Sequence, residues 1–347
     1  VKNHWSLICL HWRGVDTSTG FKPIGFWLLI DLCQFFGEAI VTSNSAKSAN
    51  ILITGGTGFI GRHLCDYLLE QGYRLWVLSR NPVAARDLLH EKVNIVGSLE
   101  ELAAIDFAAL INLAGESLAS ARWSDKSKQK FRASRVDFTH SLFDFFARVG
   151  RFPKVLLSAS AVGFYGDCGD RLVDERAHAG NDFAAQLCSD WELAARRFET
   201  HGVRVCRIRI GIVLEGDGGA LKQMLPAFRL GLGGRMGAGE HYMPWIHRHD
   251  LLRLMLFLLQ QERVSGAINA VAPEAVTNRQ FTAVLAECLH RPALLPMPAF
   301  VLRLLFGEMA DALLLSSQRV VPAAAQSLGF KFEYSYLQQA FTAILKK

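Results

Sequence analysis

No two of the seven cysteines form a CxxC pair, none has metal-site spacing, and their number is odd. A disulfide framework and a structural zinc are therefore not expected, and the pattern fits a reducing cytoplasm. There is no GxSxG elbow, which argues against the nucleophile turn of the α/β-hydrolases. No recognised nucleic-acid module and no cluster of interleaved basic and aromatic residues is present, so nucleic acid is not an expected partner. Charge of one sign is not concentrated either: 38 Lys and Arg are scattered among 32 Asp and Glu, and the net charge of +6 is only weak support for an anionic ligand. An uninterrupted membrane span is also missing. The longest apolar run, GFWLLIDLCQFFGEAIV, carries Asp31, Gln34 and Glu38 on one narrow stripe, so it reads as an amphipathic helix rather than a stable membrane insertion.

What is present is the composition of an ordinary globular protein, with 50% apolar and 20% charged residues in a chain of 347. Three regions are expected. Residues 1–49 form an N-terminal extension, read either as an amphipathic helix plus the linker TSNSAKSA or as a segment foreign to the natural product. Residues 50–215 form a dinucleotide-binding domain, and residues 216–347, rich in glycine turns and proline-bounded pieces, form a smaller substrate-side region packed on it.

From residue 51 the chain alternates strand and helix. ILIT (51–54), RLWVLS (74–79), VNIVG (93–97), AALINLAG (108–115), KVLLSAS (154–160) and VRVCRIRIGIVL (203–214) read as strands, with long helices over 124–149 and 182–200 and another over 245–261. That alternation predicts an α/β, Rossmann-type, doubly wound parallel sheet. Between the first strand and its helix stands GGTGFIG. Gly55 permits the tight turn, Gly58 lets backbone approach a pyrophosphate, and Gly61 lets helix and strand pack closely, while helix N–H groups face the phosphates. After the second strand, where NAD binders carry an acid, stand Ser79 and Arg80. A guanidinium can bind a 2′-phosphate, so NADP(H) is the expected cofactor. The expected contacts in the turn are Gly55, Thr57, Gly58, Phe59, Ile60 and Gly61; Arg62 is either a further contact or an exposed helix residue.

TGGTGFIG, NLAG (112–115), SAS followed by FYG (158–166) and WIHRHD (245–250) together resemble the extended short-chain dehydrogenase/reductases, in the NAD-dependent epimerase/dehydratase group. AGESLASARW and MLPAFRLGLGGRMGAGEHYMPWIH are similar to the YfcH-type epimerase-family proteins, and the resemblance spans roughly residues 50–347. It implies that Leu113, Ala114 and Gly115 join the cofactor site, and that Ser160 matches the family's catalytic serine. Relatives that transfer hydride add a Tyr and, four residues on, a Lys that lowers the phenol pKa. Here those positions hold Ala184 and Cys188. Tyr165 is a second candidate for proton transfer, against its reading as the packing tyrosine of the turn. Cys188 reads as a buried small hydrophobe, Arg135 falls where many relatives place an Asn, and His247 is expected to be structural rather than a metal ligand. The basic run from Arg122 to Arg135 either meets a diphosphate or is a solvated face.

Two function classes follow. One is an NADP(H)-dependent oxidoreductase or epimerase for a small polar substrate such as a nucleotide sugar, cytoplasmic, with a homodimer as its expected assembly; it rests on Ser160 and the elaborate substrate side. The other is an NADP(H)-binding sensor or scaffold without turnover, which rests on the missing dyad.

Overall fold

The computed structural model describes residues 49–119 and 122–346; both readings of the N-terminal extension lie outside the described residues, apart from residue 49. Residues Ser48–Lys347 form one compact unit. In chain order its elements are β1 (Asn50–Thr54), α1 (Phe59–Glu70), β2 (Arg74–Leu78), α2 (Pro82–Arg86), β3 (Asn94–Val96), β4 (Ala109–Asn112), α3 (Asp125–Arg132), a π-helical turn (Ala133–Asp137), α4 (Phe138–Val149), β5 (Val155–Ala161), β6 (Leu172–Val173), α5 (Phe183–Arg196) and β7 (Arg204–Ile210). The remainder comprises β8 (Ile212–Leu214), α6 (Gly219–Arg229), β9 (Tyr242–Met243), β10 (Trp245–His247), α7 (Arg248–Gln260), β11 (Gly266–Ala270), β12 (Val276–Thr277), α8 (Asn278–Leu289), α9 (Ala299–Phe306), β13 (Arg319–Val320), α10 (Ala323–Ser327) and α11 (Leu337–Leu345).

Seven strands pair in the order β11-β7-β5-β4-β1-β2-β3, all parallel, so this is the doubly wound Rossmann sheet. Alternate residues of each strand feed two cores. Ile51, Ile53, Ile111, Leu157 and Ile208 pack with α1 and α7, whereas Leu52, Leu110, Leu156 and Val205 pack with Leu142, Phe146 and Phe198 on the other face. With apolar layers on both sides, these strands need continuous apolar runs, which is why they were legible as runs.

The 203–214 run, expected to supply at least one strand, supplies two, and one stretch expected as helix begins as strand. The run 203–214 breaks at Gly211, where a Cβ would lie 2.7 Å from Pro244 O, and β8 turns away from the central sheet to pair with β10. WIH, expected as helix, is that partner strand; α7 begins only after His247, whose Nδ1 accepts the His249 N–H as a helix cap. The expected helix over 124–149 is broken by the π-helical turn, and β11 was not anticipated.

The C-terminal segment is fastened to α7 by one buried acid. The Asp250 carboxylate, fully buried, accepts the N–H groups of Glu333 and Tyr334 at 3.0 and 2.8 Å and pairs with Arg253 at 2.9 Å. Tyr334 then stacks on His247, with ring centroids 3.8 Å apart. Asp250→Ala leaves two inward-facing N–H groups without an acceptor, so it should cost about 2–4 kcal/mol of stability in chemical denaturation. A loss below about 0.5 kcal/mol would show that the clasp is dispensable.

Candidate functional site

At the carboxyl ends of β1, β2 and β4 lies a cleft of about 890 Å³. Gly55, Thr57, Gly58, Ser79, Arg80, Leu113, Ala114 and Gly115 line it, together with Lys130 of the basic run and with residues not anticipated: the Gly97–Glu100 turn after β3, Glu116, Ser134 and Phe138. The rule that ligands sit beyond strand carboxyl ends could have found the β3 turn. Glu116, Ser134 and Phe138 carried no such signal.

The cradle is built from close approach. Gly55 has φ +69°, and a Cβ there would sit 2.5 Å from Leu113 O; a Cβ on Gly61 would sit 2.2 Å from Gly55 O. Gly58 is the N-cap of α1 and offers no side-chain acceptor, so the first-turn N–H groups are left for a ligand anion. The residues therefore fit a dinucleotide pyrophosphate. Phe59, Ile60 and Gly61 do not line the cleft. The Phe59 ring lies where a Cβ on Gly218 would fall, 2.2 Å from its Cδ2; Ile60 packs on the core, and Gly61 lies under the turn.

A buried chain of hydrogen bonds fixes the cradle. Thr54 Oγ1 donates to Asn112 Oδ1 at 2.6 Å, Asn112 Nδ2 donates to Thr139 Oγ1 at 2.9 Å, and Thr139 Oγ1 donates to Arg135 O at 2.6 Å. At the cleft mouth Arg80, its side chain 91% exposed, pairs with Glu116 at 3.2 Å. Arg62 turns away to Asp217. In the basic run, Lys128 and Arg132 are engaged by Glu308 and Asp190, and Lys130 reaches the cleft.

Ser160 and Tyr165 belong to a second, interior network. Ser160 Oγ donates to Glu192 Oε1 at 2.8 Å; Arg209 holds both oxygens of Glu192 through Nε at 2.8 Å and Nη2 at 3.0 Å. Arg209 Nη1 donates to Tyr165 Oη at 2.9 Å, and that hydroxyl donates to Asn269 Oδ1 at 2.7 Å. All five residues are buried. Burial pushes the Tyr165 phenol up to about 12, against the pull of Arg209. Its hydroxyl hydrogen goes to Asn269 and the oxygen accepts from Arg209, an arrangement that suits the packing reading of Tyr165. Ala184 and Cys188 face the turn after β5: a Cβ on Gly163 would lie 3.6 Å from Ala184 Cβ and 4.0 Å from Cys188 Sγ. Burial pushes the Cys188 thiol up to about 11, which suits the small-hydrophobe reading. Glu192, Arg209 and Asn269 were not singled out as a group, since their partners lie 17 to 104 residues away in sequence.

Comparison with known proteins agrees with this geometry. Residues 51–271 match the NAD dependent epimerase/dehydratase family, and residues 297–344 match a domain of unknown function, DUF1731. The epimerase family protein Mb2239 of Mycobacterium bovis is 39% identical over 84% of this chain and 96% of its own length. The crystal structure of the human epimerase family protein SDR39U1 with NADPH superposes with TM-score 0.78 at 32% identity, covering 86% of this chain and 99% of that one. A nucleoside-diphosphate sugar epimerase from Corynebacterium glutamicum superposes with TM-score 0.68 at 30% identity, covering 88% of this chain and 61% of that one. With a glycine cradle at the switch point of a parallel sheet, and with relatives matched over nearly their full length, this chain belongs to the NAD-dependent epimerase/dehydratase family of extended short-chain dehydrogenase/reductases.

Proposed function

We propose that the protein is an NADP(H)-dependent oxidoreductase or epimerase for a small polar substrate, with a nucleotide sugar as the first class to test. The observation that carries the cofactor choice is Arg80, a solvent-exposed guanidinium at the carboxyl end of β2 where an NAD binder would carry an acid. Its partner Glu116 is itself 38% exposed, and an exposed pair of this kind holds only about 0–1 kcal/mol, so a 2′-phosphate can displace it. The human relative crystallised with NADPH, and the C. glutamicum relative described as a nucleoside-diphosphate sugar epimerase, support the cofactor and the substrate class respectively.

When bound, the nicotinamide group supplies hydride exchange; the chain must supply binding and proton handling. Gly55, Thr57 and Gly58, with the Leu113–Gly115 turn, would hold the dinucleotide, and Ser79 and Arg80 would hold its adenosine phosphate. Ser160 stands at the carboxyl end of β5. Since Arg209 already grips Glu192 through both oxygens, Ser160 can turn its hydrogen toward a substrate oxygen for the loss of one hydrogen bond. With Tyr165 committed, a water is the proton carrier. A second reading, cofactor binding without turnover, is favoured by Ala184 and Cys188 at the dyad positions. Placement in the cytoplasm belongs to this proposal and rests on the odd number and unpaired spacing of the cysteines in the sequence.

Titration of the purified protein with NADPH and NADH, followed by a panel of sugar nucleotides and carbonyl compounds, separates these readings: substrate-dependent NADPH oxidation or epimer formation supports the enzyme, and tight binding without either supports the sensor. Arg80→Ala should weaken NADPH roughly 10- to 100-fold and leave NADH within about twofold, from the worth of a charged hydrogen bond. Equal loss for both nucleotides would remove the 2′-phosphate role. Tyr165→Phe should lower stability by about 1–3 kcal/mol, by stranding Arg209 Nη1 and Asn269 Oδ1, without changing NADPH affinity. If instead turnover vanished while stability held, proton transfer would return to Tyr165.

A further inference from the structure

One cation behind the cleft has no part in the reading above. Arg135 sits in the five-residue π-helical turn between α3 and α4, a distortion that costs helical hydrogen bonding and recurs at functional sites. Its backbone carbonyl is the end point of the buried Thr54–Asn112–Thr139 chain, so the turn is held in register with the glycine cradle. The guanidinium is placed as firmly as the backbone. Nη2 donates to Glu116 O at 2.8 Å, Cζ lies 2.9 Å from where a Cβ on Gly115 would stand, and the opposite side faces the Trp191 ring at 5.3 Å.

This placement leaves the charge unanswered. Nη1 reaches Phe131 O and Ser134 Oγ only at 3.4 Å each, the far limit of a hydrogen bond. Arg80, Lys128 and Arg132 around the same rim each have a carboxylate partner, whereas no ion pair among the described residues includes Arg135. Partial burial already disfavours its charged form. A guanidinium withdrawn from water, stacked on an indole and with no carboxylate in salt-bridge contact, is a receptor for an oxygen-rich anion.

The sheet says which anion. In the order β3-β2-β1-β4-β5, Arg80 lies after β2, on one side of β1, and Arg135 touches the turn after β4 and the α5 helix, on the other. A dinucleotide laid across this switch point with its adenosine phosphate at Arg80 extends its nicotinamide half toward Arg135. We propose that Arg135 binds the nicotinamide nucleotide half of the cofactor through its phosphate and ribose oxygens. It thereby brings in from the π-helical turn the positive charge that the resemblance leads one to expect at position 188. The inference rests on the NADP(H) reading of the cleft.

The test compares the full-length wild type with Arg135→Gln and Arg135→Lys, titrated by calorimetry with NADPH and with 2′,5′-ADP, which lacks the nicotinamide half. The Gln variant should lose roughly 10- to 100-fold in NADPH affinity and bind 2′,5′-ADP as the wild type does, and the Lys variant should recover most of the loss. Equal loss for both ligands would mean that Arg135 only props the Gly115–Glu116 turn, and that result overturns the proposal. Unchanged NADPH affinity in the Gln variant overturns it as well. Failure of the wild type itself to bind NADPH would be a different result: it would sink the NADP(H) reading on which the proposal stands.

Discussion

The carboxyl edge of the sheet is organised by how closely α1 runs beneath the turn that precedes it. Gly61 lies so near Gly55 that no side chain fits between them, and Gly55 itself presses against the turn after β4. That approach brings three backbone segments to one place without any side chain in the way. It also removes the side chains that would otherwise fix the geometry, so fixation passes to Thr54, Asn112 and Thr139, each buried and each hydrogen-bonded. A buried polar chain of this sort is tolerated only when every member is satisfied, and here satisfaction demands that β1, β4 and the helix after β4 keep one register. The cradle and the π-helical turn are thus consequences of the same constraint.

The interior network around Glu192 follows a different logic. Two charged groups in the core would be costly singly; Arg209 meets Glu192 through two hydrogen bonds, and the remaining valences are spent on Ser160, Tyr165 and Asn269. This arrangement joins β5, α5, β7 and β11 with the turn after β5, and Asn269 goes on to donate to Val321 O in the C-terminal segment. A tyrosine within it is an anchor. Burial draws the phenol pKa up and outweighs the opposing pull of Arg209, which is itself held by Glu192.

Much of the fold was legible because it is written in local terms. Apolar runs buried on both faces declared β1, β2, β4, β5 and β7, and a glycine turn between strand and helix declared the cradle, since both depend on residues adjacent in sequence. What escaped depends on partners far away. GAINA is too small and too short to announce β11, which exists because β7 offers it an edge. The break at Gly211 follows from Pro244, thirty-three positions on, and the π-helical turn follows from the buried chain that ends on Arg135. Ser160 was identified at its strand end, but nothing local marked its buried partner Glu192, 32 positions on.

Glu116 joins the two halves of the site. Its carboxylate accepts Arg80 at 3.2 Å, its carbonyl accepts Arg135 at 2.8 Å, and its N–H donates to Ser134 Oγ at 3.1 Å. One residue after the Leu113–Gly115 turn therefore touches both cations that a dinucleotide would use, but by unlike means. The pair with Arg80 is solvent-exposed, screened and easily exchanged for a phosphate, whereas the bond to Arg135 is a neutral backbone contact that leaves the guanidinium's charge intact. A ligand arriving at Arg80 must replace an anion already there; a ligand arriving at Arg135 supplies one that is missing. The first contact can discriminate between cofactors at little cost to binding, and the second can add affinity without discriminating at all.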